Sequence, residues 1–126
     1  MPSKVFVIED HPAIRAAYRQ ILARVPDLQI SGEATTGSEA LRKLAGHIPT
    51  IVLLDIMLPD INGVALLKQL KAYYPHLLVL VISSEDEEIY APITAQAGAS
   101  GYMNKCYAGN NLVKQIRMIV GEQNRN

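Results

Sequence analysis

Two hydrophobic periodicities alternate along the chain. Val5-Phe6-Val7-Ile8 is a continuous apolar run of strand length, the pattern of a strand buried on both faces. After it, Ile14, Ala17, Tyr18, Ile21, Leu22 and Val25 recur at helical spacing on one face, with Pro26 placed to end that helix. The alternation then repeats. Residues 29–34 predict a more polar strand, as expected at a sheet edge, and residues 38–45 a short helix with Leu41, Leu44 and Ala45 inward. Ile51-Val52-Leu53-Leu54 is a second fully apolar strand. Pro59-Asp60-Ile61-Asn62-Gly63 reads as a turn, with Asn62 as N-cap of a helix carrying Val64, Leu67 and Leu70. Residues 77–82 form the most apolar strand. The acidic residues 85–88 open a helix where the dipole favours negative charge, and Gly98 follows it at the position where glycine is preferred. Gly101-Tyr102-Met103 is a short fifth strand, and Leu112, Val113, Ile116, Ile119 and Val120 mark one face of a last helix.

This is βα five times over. Apolar strands separated by amphipathic helices predict an α/β fold with a parallel sheet, and right-handed crossovers place helices on both of its faces. In such sheets function gathers beyond the carboxyl ends of the strands. The 126 residues suit one domain with its own core, expected over residues 1–121. The polar residues 122–126 read as a fraying terminus or the start of a linker. At 49% hydrophobic the chain is no candidate for disorder. Twelve basic and twelve acidic residues cancel, so overall charge gives no pull toward nucleic acid or a membrane surface. The apolar runs are far shorter than the roughly 20 residues of a membrane span, and no signal peptide is legible. The single cysteine, Cys106, excludes an internal disulfide and fits a reducing, cytoplasmic setting.

The chemistry-bearing residues stand at strand ends. The first strand ends in Glu9-Asp10, the third in Asp55, the fourth in Ser83-Ser84, and the fifth near Lys105. Each alone has an ordinary reading: a solvated loop acid, a turn hydroxyl, a surface charge. Together, in a parallel sheet, they meet on one edge. Converging carboxylates raise one another's pKa unless a cation neutralises them, and an all-oxygen carboxylate site suits Mg²⁺ where phosphate is also bound. A hydroxyl and a lysine beside them would complete a phosphoryl site, and a carboxylate can serve as the nucleophile of an aspartyl phosphate.

Val7-Ile8-Glu9-Asp10-His11-Pro12, Leu53-Leu54-Asp55-Ile56-Met57-Leu58-Pro59, Asn62-Gly63, Val81-Ile82-Ser83, Ala97-Gly98-Ala99-Ser100-Gly101-Tyr102 and Lys105 stand in order and at the spacing of a known family. With them the sequence resembles, over essentially its whole length, the receiver domains of two-component response regulators. Glu9-Asp10-His11-Pro12 with Arg15, and the stretch through Tyr102, look most like receivers of the LuxR/NarL type. The resemblance implies a doubly wound, flavodoxin-like (βα)5 sheet of order 2-1-3-4-5. It implies Asp55 as phosphoacceptor, with a sensor histidine kinase as donor. It implies Mg²⁺ held by Glu9, Asp10, Asp55 and the backbone carbonyl of Met57, with Ser83 and Lys105 on the phosphoryl oxygens. Ser83 and Tyr102 would form the switch, Met57 and Glu85 would tune dephosphorylation, and helix 4, strand 5 and helix 5 would form the output face. Receivers of this type usually precede a DNA-binding domain, for which the sequence has no room before Asn126. The expectation is an excised fragment, or a stand-alone receiver acting through protein contacts. A homodimer through helices 1 and 5, or through the helix 4–helix 5 face, is also implied.

Two positions depart from the family pattern. Cys106 stands where many receivers have a proline after a cis bond; a cis bond before a non-proline residue costs about 2.5–4 kcal/mol, so none is expected, and the thiol reads as a partly buried, inert one. Pro92 falls inside the fourth helix, which would then begin late, near Pro92, or be kinked. Other readings have specific obstacles. A dinucleotide-binding protein needs a glycine-rich turn after the first strand, and Glu9-Asp10-His11-Pro12-Ala13 has no glycine. An aspartate-based phosphatase usually has its nucleophile after the first strand with a second acid two residues on, and Asp10-His11-Pro12 lacks that acid. A degenerate receiver acting only by contact would bind Mg²⁺ weakly or not at all.

Overall fold

The structure, a computed structural model, describes residues 2–124. Five parallel strands form one sheet in the order β2-β1-β3-β4-β5. They are β1 (Ser3–Ile8), β2 (Leu28–Ala34), β3 (Ile51–Leu54), β4 (Leu78–Ser83) and β5 (Gly101–Asn104). The helices are α1 (Pro12–Ala23), α2 (Gly37–Gly46), α3 (Gly63–Tyr73), α4 (Glu87–Gln96) and α5 (Ala108–Asn124). The more polar β2 is an edge strand and the apolar β1, β3 and β4 are central, as the composition of each run predicts.

The side-chain period of two splits every central strand between two cores. Phe6, Ile8, Val52, Leu54, Val79 and Val81 face one cluster, filled by Ala40 and Leu44 of α2 and Leu66, Leu67 and Leu70 of α3. Val5, Val7, Ile51, Leu53, Leu80 and Ile82 face the other, filled by Tyr18 and Leu22 of α1 and Leu112, Ile116 and Ile119 of α5. Within α2 the inward alanine is Ala40, while Ala45 is exposed.

Local chemistry sets the connections near the site. Asn62 caps α3, its Oδ1 accepting from the N–H groups of Val64 at 2.8 Å and Ala65 at 3.4 Å, a contact worth about 1 kcal/mol. Gly98, just past α4, has φ +108°, which glycine adopts without a Cβ clash. Helix α4 opens on its acidic residues, as expected. It does not wait for Pro92 but starts at Glu87, capped by Asp86 Oδ1 on the Glu88 N–H at 2.9 Å. Pro92 lies only five residues beyond that start. The first four helical N–H groups lack intrahelical partners anyway, so the proline forfeits one additional bond rather than a mid-helix ladder. Thr94 is fully buried, and its hydroxyl donates to the Tyr90 carbonyl at 2.9 Å. At the other end α5 runs on through Asn124, so residues 122–124 of the expected tail extend the helix, and residues 125–126 lie outside the described residues. Among the described residues no helix is long and apolar enough to cross a membrane.

Candidate functional site

The carboxyl ends of β1 and β3 are neighbours, with Ile8 paired to Leu54, so the residues that follow each strand meet at one edge. The Asp55 N–H donates to the Ile8 carbonyl and the Glu9 N–H to the Ala34 carbonyl, each at 3.0 Å, which carries the sheet ladder one residue past the strands. Arg15 of α1 fastens this end of β1, its guanidinium donating to the Glu9 carbonyl at 2.9 Å. Glu9 and Asp55 are therefore buried, at 1% and 4% exposure, where an unpaired charge is costly.

Lys105, just after β5, supplies the counter-charge. Its ammonium lies 2.9 Å from Glu9 Oε1 and 3.1 Å from Asp55 Oδ2. The other oxygen of each acid is also engaged. Glu9 Oε2 accepts from the His11 N–H at 3.1 Å and meets His11 Nδ1 at 2.8 Å. Asp55 Oδ1 accepts from the Met57 N–H at 3.0 Å. One ammonium between two buried carboxylates leaves a negative excess, and the two acids divide it. Burial pushes the Glu9 carboxyl up, but His11 and Lys105 outweigh it and hold Glu9 below its ordinary value. Burial raises Asp55, and the Glu9 charge adds to the rise. For Lys105, burial alone would lower the ammonium, yet Glu9 and Asp55 keep it above its usual value.

Ser83 and Tyr102 stand in a second, adjoining arrangement. The fully buried Ser83 Oγ accepts from the Glu85 N–H at 3.0 Å, and the Tyr102 hydroxyl donates to the Glu85 carbonyl at 2.9 Å. The peptide groups of Glu85 thus connect Ser83 to Tyr102. Met57 is 55% exposed at the rim. Cys106 is exposed rather than partly buried. Every described peptide bond is trans, and Asn104 Oδ1 accepts from the Cys106 N–H at 2.9 Å, a bond that a proline at 106 could not make.

Besides Arg15, two residues outside the expected set belong to the site's frame. His11, beside the acid pair, was legible only as part of a motif. Asp60 pins the loop after β3 to the start of α2, accepting from the N–H groups of Gly37 at 2.8 Å and Ser38 at 3.0 Å. Those bonds hold its carboxyl below the ordinary range. A lowered acid stabilises the fold above its unfolded pKa of about 3.9 and loses that contribution as pH falls through the lower folded value. Glu33, Glu39 and Asp27 shift the same way. We expect stability to decline as pH drops below about 4, with a shallower decline in Asp60→Asn. Chemical denaturation at a series of pH values checks this, and an unchanged slope in the variant contradicts it.

The donor set fits a hard divalent ion. Glu9, Asp10, His11 and Asp55 each offer a ligand atom within 4.8 Å of the others. Glu9 Oε1 and Asp10 Oδ1 are buried and accept no hydrogen bond, though the first has the ammonium of Lys105 beside it. Such oxygens are what a cation would satisfy.

Residues 5–117 match the family model described as response regulator receiver domain. The chain belongs to that family. It is similar to the response regulator GacA of Pseudomonas syringae pv. syringae (strain B728a), at 32% identity over 120 residues, covering 95% of this chain and 56% of that protein. The chain spans about half the length of the curated relatives it matches. Among solved structures it resembles a LuxR-family two-component response regulator from Aurantimonas sp. SI85-9A1, with TM-score 0.91, 27% identity and coverage of 97% of this chain and 87% of that one. It also resembles the signal receiver domain of the response regulator NarL from Mycobacterium tuberculosis, with TM-score 0.88, 28% identity and coverage of 95% and 97%. The receiver is thus related to members of the LuxR/NarL group, and its sheet order is the expected one.

Proposed function

We propose that this receiver accepts a phosphoryl group on Asp55 from a sensor histidine kinase in the cytoplasm. The observation that carries the reading is the Lys105 ammonium set between Glu9 and Asp55, at 2.9 and 3.1 Å, on the carboxyl edge of the sheet. Glu9, Asp10, Asp55 and the Met57 carbonyl would hold Mg²⁺, which when bound offsets charge on the transferring group. A carboxylate oxygen of Asp55 forms the bond to phosphorus as the bond to the donor breaks. The Met57 N–H holds Oδ1 in place, and Lys105 pairs with the new phosphoryl oxygens.

The readout follows from the Glu85 peptide. If the Ser83 hydroxyl turns to a phosphoryl oxygen, the Glu85 N–H loses its acceptor, and the carbonyl that holds Tyr102 shifts with it. Tyr102 then changes rotamer and biases the α4–β5–α5 face. Ile89 and Ile93, one turn apart on α4 and exposed at 56% and 43%, give that face its apolar contact area. Met57 and Glu85 flank the phosphoryl site and set its lifetime. The output is transcriptional, through a DNA-binding domain outside this sequence; several relatives of about twice this length are named as regulators, among them the transcriptional regulatory protein DegU of Brevibacillus brevis.

Incubation with a small phosphodonor and Mg²⁺ tests the reading. We expect one phosphoryl group per chain and then a plateau. Continuous release of phosphate from a phosphoester substrate, without a labelled chain, would replace the switch with a phosphatase.

A further inference from the structure

One buried hydroxyl serves neither the acid site nor the path from Ser83 to Tyr102. Tyr18 of α1 is 3% exposed, and its hydroxyl makes no hydrogen bond among the described residues. A hydroxyl buried without a partner costs stability. A phenylalanine would fill the same space without that cost, so the oxygen does not stabilise the unphosphorylated domain.

Strand alternation sets Tyr18 beneath the site. Its side chain packs with Val7 and Leu53 in the core that α1 and α5 share. Glu9 and Asp55 stand two residues beyond those positions, and the sheet ladder runs on to both, so their side chains emerge on the same side of the sheet. Tyr18 and Lys105 line one cavity of about 240 Å³ between α1 and the start of α5. Burial, and then the charges of Glu9 and Asp55, push the phenol well above its ordinary range, so it keeps its proton as a donor.

An acceptor for that proton lies in the acid row. Glu9 Oε1 has the Lys105 ammonium at 2.9 Å but accepts no hydrogen bond. If Lys105 moves onto a phosphoryl group, this oxygen loses its counter-charge while Glu9 stays buried. The Tyr18 hydroxyl is then the unused buried donor on that side of the sheet among the described residues.

Resting on the phosphoryl reading above, we propose that the Tyr18 hydroxyl replaces Lys105 as the partner of Glu9 Oε1 in the phosphorylated domain. Tyr18 is thus a positioning residue, which frees Lys105 for the phosphoryl oxygens. A hydrogen bond made in one of two states shifts the balance toward that state by its own free energy. The same bond ties α1 to the phosphorylated state, by a route separate from Ser83, Glu85 and Tyr102.

The test titrates the full chain with Mg²⁺ alone and with beryllofluoride, a phosphoryl mimic, in the presence of Mg²⁺. Amide NMR shifts give both affinities in the native protein and in Tyr18→Phe. The variant is expected to bind beryllofluoride about 5-fold or more weakly, the scale of a hydrogen bond to a charged group. Its Mg²⁺ affinity should stay within about 2-fold, and its melting temperature without ligand should be no lower than the native one. Ultraviolet resonance Raman difference spectra between native and variant isolate this phenol, which should change from unbonded to donor when beryllofluoride binds. An unchanged beryllofluoride affinity in the variant overturns the inference. So do equal losses for both ligands, a melting temperature several degrees lower, or a phenol signal that binding leaves unmoved. A native chain that takes up neither beryllofluoride nor a phosphoryl group removes the underlying phosphoryl reading as well. Native binding of beryllofluoride without a contribution from Tyr18 removes only the inference.

Discussion

Gly63→Ala is expected to destabilise the domain by about 3 kcal/mol or more, since an added Cβ would overpack a site that cannot yield. That Cβ would lie 2.1 Å from the Ile56 Cα and 2.6 Å from the Ile56 carbonyl oxygen, both backbone atoms with no rotamer to give way. The close approach is needed because the Gly63 N–H donates to the Ile56 carbonyl at 2.9 Å and Met57 pairs with Asn62 just beyond. These contacts fold the loop from Ile56 to Asn62 back on itself and present the Met57 N–H to Asp55. Single domains have only about 5–15 kcal/mol in total, and each kcal/mol moves Tm by several degrees, so a drop of roughly 10 °C is expected. Divalent-ion affinity should fall with it, because the loop that carries Met57 is displaced. A thermal melt followed by circular dichroism checks this; a variant that melts with the native protein contradicts the reading of the loop.

The second large effect joins loss of function to gain of stability. Asp55→Asn should accept no phosphoryl group, because an amide is not a usable nucleophile here. In buffer free of divalent ions it should also melt above the native protein. The sign follows from the raised carboxyl. An acid whose folded pKa lies above its unfolded value of about 3.9 costs stability once pH exceeds that unfolded value, and the full cost is present above the folded pKa. At neutral pH Asp55 is therefore a net cost, arising first from burial and then from the charge of Glu9. Asparagine keeps the shape and an oxygen for the Met57 N–H, and Lys105 keeps Glu9. Labelling at the native rate, or a lower melting temperature without divalent ions, would count against the account.

The layout of the domain was legible because its signals are local and periodic. Val5 to Ile8 announced a strand buried on both faces, and its alternate residues do face separate cores. Asn62 and Gly98 announced their caps through backbone chemistry that depends on few neighbours. The meeting of Glu9, Asp55 and Lys105 was legible only given a parallel sheet, since Lys105 stands fifty residues from Asp55 and reaches it through strand order. What stayed hidden depends on particular tertiary partners. Pro92 leaves a late start or a kink open for the fourth helix, because the sequence does not reveal that Asp86 is the cap. The exposure of Cys106 follows from the turn made by Asn104, and the role of Asp60 from α2 lying within reach of its carboxylate. His11 is legible as motif rather than as chemistry, because a histidine beside acids shows no direction until its ring is placed.

Locating the phosphoryl group tests the role of Asp55 directly. The native chain is incubated with a small phosphodonor and Mg²⁺, digested at neutral pH, and the modified residue is found by mass spectrometry after hydride reduction of the acyl phosphate. One modified residue is expected, Asp55, with none in Asp55→Asn. A label on Glu9, Asp10 or any other residue of the native chain, with Asp55 unmodified, would contradict it.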